Sequence, residues 1–351
     1  MEIIDRSWKG GVFDFDALGR WMDQQGLGKG PIKDPTLLAG GTQNILVRFR
    51  RGQELFVLRR PSLKPRSGAD ELMLREARVL AALRGSAVPH PRLVAACSDR
   101  AIIGSAFYLM DAVDGFSPVR TLPDTHHDET IQRAMGFALV DAIAALGSID
   151  YEAVGLSNFG RVDRFLERQV PRWAKELESY GAIADWPGRR ALPDVRALGD
   201  WLTTHRPSGF RPGIMHGDFH VANVMYRWDG PSLAAVVDWE LSTIGDPLLD
   251  LGWLIATWPM GADGKVHSPT LNVRPWNGFP TANDLIDRYR AQSQRDLSAL
   301  DWYVALACYK LGIIVEGTYA RAFDGKADRN VGLALHEFAV ALLERGIAIA
   351  R

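Results

Sequence analysis

Cysteine is nearly absent from this 351-residue chain: Cys97 and Cys308 stand far apart, each in an apolar stretch. That excludes a disulfide framework and any metal site built on cysteine, and leaves two reduced core thiols in a cytoplasmic protein as the expectation. Charge imbalance is absent too. Lys and Arg total 41 against 42 Asp and Glu, so no overall field draws the chain to nucleic acid or an anionic membrane. No apolar run reaches bilayer length, the most apolar late segment, "YVALACYKLGIIVEG", being broken by Lys310. The N-terminal "MEIIDRSWKG" lacks the basic region and long apolar run of a signal peptide. Internal repeats and low-complexity tracts are missing. What is left is an ordinary globular composition, 47% hydrophobic and 24% charged, over a length that suits two domains or one two-lobed unit.

Between Leu37 and Arg60 the pattern is β: "LLAG", "NILVRF" and "LFVLRR", separated by turns, predict three consecutive antiparallel strands. "ADELMLREARVLAALRG" then takes helical period, with Leu72, Val79, Leu80 and Leu83 on one stripe and Gly85 as a stop. Glu76 falls on that stripe, and a buried carboxylate requires a cationic partner. Residues 106 to 115, "AFYLMDAVDG", read as a further strand running into a turn. Beyond it the chain turns helical, with candidates at 127–147, 161–180, 194–205, 283–295, 299–323 and 329–348. A small β element, "HVANVMYR" and "LAAVVDWE", brackets the turn "WDGPS", and helical spacing resumes in "DPLLDLGWLIATW". The Pro-, Gly- and Trp-rich segment 257–281 is either a plain surface loop or a wall for a substrate. The expected division is an N-lobe over 1–110, a sheet with one helix, and a mainly helical C-lobe over 111–351.

The segment "MHGDFHVANVMY" holds the chemistry. Phosphoryl transfer needs a base for the acceptor hydroxyl, carboxylate and amide oxygens for Mg²⁺, and a cation on the nucleotide phosphates; protein kinases supply the first two from H-R-D-x-x-x-x-N and a later Asp. Here His216-Gly217-Asp218 precedes Asn223 at the same spacing. Asp238 follows at the end of the apolar strand "LAAVV". His-x-Asp-x4-Asn arises by chance in on the order of a percent of chains, so its weight comes from the order of the elements around it. Upstream, "AGGTQN" offers Gly40 and Gly41 with Thr42 and Asn44 as a phosphate-cradling loop. Strand alternation puts Val57 and Arg59 on one face and Phe56, Leu58 and Arg60 on the other. If Val57 covers the adenine, Arg59 points at the phosphates and is the partner that Glu76 requires. Arginine stands there in place of the lysine of protein kinases, keeping the charge in a larger, planar group.

"HGDFHVAN", "VVDWE", "GDPLLDLGWL" and "FYLMDAVDG" resemble the corresponding segments of the aminoglycoside phosphotransferase family. Its fold is similar to that of eukaryotic protein kinases, and the resemblance runs from about Leu37 to the C-terminal helices. It implies an α+β, bilobal protein-kinase-like fold and a small-molecule kinase using ATP, or GTP, with Mg²⁺. By the same resemblance Asp218 is the catalytic base, Asn223 and Asp238 are the metal ligands, and Met110, Asp111 and Val113 belong to the adenine-facing hinge. His220 stands where protein kinases place a phosphate-contacting lysine, and His216 and Asp250 hold the loop by hydrogen bonds. "FVLRRP" and "YVALACYKLGIIVEGTYARAFDG" look closest to the branch that includes phosphotransferase domains fused to some acyl-CoA dehydrogenases. That branch implies a hydroxyacyl thioester as one acceptor class rather than an antibiotic, which stays open as the other, and the C-terminal third has no dense acidic run of the kind a polycation pocket wants.

Two other readings stay open at this point. His216, Asp218 and His220, spaced by two, share a strand face and would suit a hydrolytic metal. A kinase-like nucleotide-binding module without turnover would explain Arg59.

Overall fold

The computed structural model describes residues 14–38, 44–259 and 273–351. The chain divides into two compact units, Met1–Ser117 with Ala234–Ser242, and Pro118–Leu233 with Thr243–Arg351.

The first unit is built on a five-stranded antiparallel sheet. In chain order it contains α1 (Phe15–Gln24), β1 (Ile32–Leu38), β2 (Asn44–Arg51), β3 (Glu54–Pro61), α2 (Ala69–Ala82), β4 (Leu93–Cys97), the single turn α3 (Arg100–Ile103) and β5 (Phe107–Asp111), with strand order β1-β2-β3-β5-β4. The predicted strand alternation decides which residues meet which helix. Phe56 and Leu58 join Val47, Phe49, Phe107 and Leu109 in a core closed by Leu18, Trp21 and Met22 of α1. Arg59, on the opposite face of β3, meets Glu76 of α2. Cross-strand register sets Tyr108 of β5 directly opposite Arg59, and Met110 opposite Val57.

Helix α2 follows the predicted period, and Gly85 takes the left-handed φ of +78° just past its end. One expectation fails here: Leu72 is 52% exposed, whereas Val79, Leu80 and Leu83 are buried. The buried stripe starts at Met73 and passes through Glu76, Ala77 and Leu80, and Leu72 lies off it in the first turn.

The second unit is mainly helical: α4 (Glu129–Ser148), α5 (Gln169–Ser179) and α6 (Val195–Thr204), then the short strands β6 (Gly213–Met215), β7 (Val224–Tyr226), β8 (Leu233–Val236) and β9 (Thr243–Gly245), then α7 (Leu248–Thr257), α8 (Ala282–Gln292), α9 (Leu300–Phe323) and α10 (Arg329–Ile349). From Ala234 on, β8 and the turn after it belong to the first unit. β6 pairs antiparallel with β9, which brackets the loop that carries Asp218. Residues Leu248 to Ala256 of α7 are all buried. Gly252 is what lets α9 approach: a Cβ there would lie 2.7 Å from the backbone of Tyr303.

The tryptophans of the 257–281 segment are not available as a substrate wall. Trp258 and Trp276 are buried, Trp276 stacks on Phe279 at 4.0 Å, and the Trp258 indole N–H donates to the Pro280 carbonyl at 2.9 Å. Residues 260–272 of that segment lie outside the described part. Both cysteines are free and buried, and burial pushes the Cys308 thiol up to about 12. Among the described residues no helix is long and apolar enough to cross a membrane.

Candidate active site

Two sets of polar side chains stand out, one in each unit. In the first, Arg59 is 8% exposed and Glu76 2% exposed, so each needs the other. Arg59 Nη2 donates to Glu76 Oε1 at 3.1 Å, and its Nε stands 2.8 Å from Oε2 in an ion-pair contact without hydrogen-bonding alignment. Tyr108 completes the pair by donating its hydroxyl to Glu76 Oε2 at 2.9 Å. The same Arg59 Nη2 donates to Asp238 Oδ1 at 2.9 Å. Burial alone would lower the Arg59 guanidinium, but Glu76, Tyr108 and Asp238 raise it above its ordinary range.

Asp238 reaches Arg59 because its backbone is left-handed, φ 66° and ψ 63°, which turns the chain sharply after β8. A non-glycine residue held there stores strain, and aspartate is among the side chains that tolerate it best. Glu240, two residues on, lies 3.9 Å from Arg59 Nη2 and accepts a hydrogen bond from Asn44 Nδ2 at 3.2 Å. Glu76, Asp238 and Glu240 each offer an oxygen within 4.8 Å of the others, the only such group of potential metal ligands among the described residues. These are hard oxygen donors that suit Mg²⁺, and Arg59 now neutralises them in part. Gly40, Gly41 and Thr42 lie outside the described residues. Met110 is buried, and the Asp111 carboxylate forms a bidentate pair with Arg92 at 2.7 and 2.8 Å, so its side chain is already engaged.

In the second unit the loop after β6 is clamped from below. Asp250 of α7, 1% exposed, accepts the His216 amide at 2.6 Å and the Gly217 amide at 2.8 Å on its two oxygens. The buried His216 ring accepts the Asp218 amide on Nδ1 at 3.3 Å and meets Phe219 edge-on. Lys310 of α9 donates to the Gly217 carbonyl at 3.0 Å. The sequence put His216 and Asp250 in this holding role; the support from Lys310 went unseen.

Held this way, Asp218 keeps a partly exposed carboxylate. Asn223 Nδ2 donates to its Oδ2 at 3.0 Å and to its main-chain carbonyl at 2.9 Å, and His220 Nε2 stands 3.4 Å from Oδ1. Since His220 Nδ1 accepts the Ala222 amide at 3.2 Å, its proton sits on Nε2, facing Asp218. Burial would raise the Asp218 carboxyl, but His220, His216 and Lys310 hold it below the ordinary carboxylate range. It is therefore ionised at neutral pH. The amide oxygen of Asn223 has no partner among the described residues and is the atom it would offer a cation. The hydrolytic reading loses ground: His216, Asp218 and His220 do not gather their ligand atoms, and His216 is spent on the backbone.

Sheet topology and helical content are those of a protein-kinase-like fold, and the loop chemistry is that of phosphoryl transfer. Residues 34–293 match the model of the phosphotransferase enzyme family, and the chain belongs to it. By family it is therefore a phosphotransferase. Among solved structures, a Ralstonia eutropha protein assigned to the aminoglycoside phosphotransferases is 28% identical, with a TM-score of 0.80 over 96% of this chain and 98% of that one. A thermostable mutant of the aminoglycoside phosphotransferase APH(4)-Ia, in a ternary complex with AMP-PNP and hygromycin B, shares the fold at a TM-score of 0.60 and 16% identity over 94% of this chain and 99% of that one. The acyl-CoA dehydrogenase family member 11 of Pongo abelii is 28% identical over 97% of this chain and 43% of its own length. The chain thus spans less than half the length of the curated relatives it matches.

Sequence reasoning missed Tyr108, Glu240 and Lys310. Tyr108 was findable from strand register, since it faces Arg59; Glu240 was quoted within "VVDWE" without a role; Lys310 announced itself only as a lysine inside an apolar helix.

Proposed function

We propose that the chain transfers the γ-phosphoryl group of ATP, or GTP, to the hydroxyl of a small metabolite, with a hydroxyacyl thioester as the acceptor class and an antibiotic as the competing one. The observation that carries this reading is the Asp218 carboxylate, ionised, tethered by Asn223 and seated on a loop clamped by Asp250. The acceptor oxygen bonds to the γ-phosphorus as the bond from that phosphorus to the bridging oxygen breaks, and the hydroxyl proton passes to Asp218. A carboxylate of low basicity suffices because the transition state is loose and the proton leaves late. His220, its Nε2–H beside Asp218, is next to the departing group in this reading. Asn223 and Asp238 would hold Mg²⁺, which supplies charge neutralisation at the phosphates. Arg59 supplies the protein's own cation, Gly40, Gly41, Thr42 and Asn44 the phosphate loop, and Val57, Met110, Asp111 and Val113 the adenine surroundings, with Glu76 fixing Arg59. The thioester rests on the acyl-CoA dehydrogenase relatives, whose names describe longer proteins than this chain.

Incubation with Mg²⁺ and ATP in the presence of hydroxyacyl thioesters, and separately of aminoglycosides, tests this by mass spectrometry. A gain of one phosphoryl group on a thioester supports the reading; transfer to aminoglycosides alone removes the thioester and keeps the kinase. A second reading, a nucleotide-binding module, draws on the Arg59–Asp238 pair, which occupies an oxygen that a metal would need. Binding of ATP with no transfer to any acceptor would favour it.

A further inference from the structure

Several groups in the second unit that the transfer chemistry does not use gather beside the catalytic loop. Lys310, half-buried near the middle of α9, spends one of its three N–H donors on the Gly217 carbonyl, one residue before Asp218. Its Nζ lies 4.3 Å from the ring centroid of Trp253 on α7 and 5.5 Å from that of Trp173 on α5. The Arg172 guanidinium lies over the same Trp173 ring, 5.0 Å from its centroid, on an exposed turn of α5. Neither cation forms an ion pair with a carboxylate among the described residues. The indole N–H groups of Trp173 and Trp253 are both buried and have no acceptor there either. Buried donors are normally paired, so a neighbourhood with two indole donors, an ammonium with donors to spare and a free guanidinium is short of acceptors. Burial pushes the Lys310 ammonium down to about 8 against the pull of Asp218 and Asp250, and nearby Arg172 adds to the push. An anion brought close would relieve both deficits.

We propose that Lys310, Arg172, Trp173 and Trp253 form a subsite for a negatively charged group of the acceptor, a carboxylate or a phosphate, beside Asp218. The two cations hold its charge and the two indoles wall it. A polycationic acceptor such as an aminoglycoside meets like charges here, whereas a hydroxy acid or a phosphate-bearing thioester is attracted. In calling the ligand an acceptor, the proposal rests on the phosphotransferase reading; anion binding itself does not.

Trifluoroacetate and trifluoroethanol, an anion and a neutral alcohol with the same fluorinated end, serve as probes followed by ¹⁹F NMR on the intact chain. The expected result is trifluoroacetate binding that sulfate competes away, weakened about tenfold or more in Lys310→Met, weakened less in Arg172→Ala and kept in Lys310→Arg. Trifluoroethanol binds more weakly and equally to all four proteins. Arg172 is exposed, so its variant tests the site even if Lys310→Met folds poorly. Lack of trifluoroacetate binding by the wild type, equal binding by wild type and both loss variants, or trifluoroethanol binding as tight as trifluoroacetate overturns the proposal. Asp218→Ala separates the two readings: it cuts transfer by about 10²–10⁴ and keeps or tightens trifluoroacetate binding, so a kinase failure leaves the anion result standing.

Discussion

Arg59, buried in the first unit, and Lys310, half-buried in the second, are two cations treated in opposite ways. Arg59 is paired: Glu76, with Tyr108 behind it, and Asp238 accept the hydrogen bonds of its Nη2, and its charge is locked in. Lys310 has one carbonyl and two aromatic faces, and burial loosens its hold on its proton. A planar five-donor guanidinium can satisfy several carboxylates at once, while a compact ammonium keeps donors for whatever arrives. The first arrangement is a fixed strut of the fold, the second a place for a partner.

The largest expected effect breaks the strut. Glu76→Ala leaves a buried guanidinium with only the partly exposed Asp238 and Glu240 to face it, and should cost about 3–5 kcal/mol in chemical denaturation, as removal of one partner of a buried pair does. Lys310→Met loses one hydrogen bond to a charged donor and should cost no more than about 1.5–3 kcal/mol in the same assay. Equal losses in the two variants would erase the contrast. Gly252→Ala, which touches neither cation, should cost about 1–3 kcal/mol by forcing α7 away from the Tyr303 backbone and serves as a packing reference.

The comparison is sharpened by pH. The folded Lys310 ammonium, pushed down to about 8, lies below the ordinary lysine value of about 10.4, so the unfolded chain binds more protons between the two. Its contribution to stability therefore rises with pH across that window, while Arg59, held above its ordinary range, contributes no slope there. Denaturation curves from pH 7 to 10.5 should show a positive slope in wild type relative to Lys310→Met, and identical slopes would contradict the assignment. Smallest of all is the expected effect of Arg59→Lys: one cation still faces Glu76, so turnover stays within about tenfold of wild type. Complete inactivity with intact folding would assign the arginine a role beyond its charge.

What was legible in the sequence follows the same division. Strand alternation named the face of β3 that carries Arg59 and the partner it meets in Glu76, because period two leaves no choice once one face is apolar. Motif spacing likewise brought Asp218 and Asn223 together, five residues apart on one short loop. Glu240 and Lys310 were hidden because their roles come from contacts between elements far apart in the chain, which no local period encodes, whereas Tyr108 becomes readable once β3 and β5 are paired in register. Leu72 misled because an apolar residue in a first turn can fall off the buried stripe while still fitting a list of apolar positions.

The central claim is that Asp218 serves phosphoryl transfer, and the most direct measurement is Mg²⁺-dependent ATP turnover by wild type and Asp218→Ala, alongside nucleotide binding by each. The account predicts turnover reduced by about 10²–10⁴ in the variant with nucleotide binding largely kept. Turnover near the wild-type rate in Asp218→Ala would contradict it.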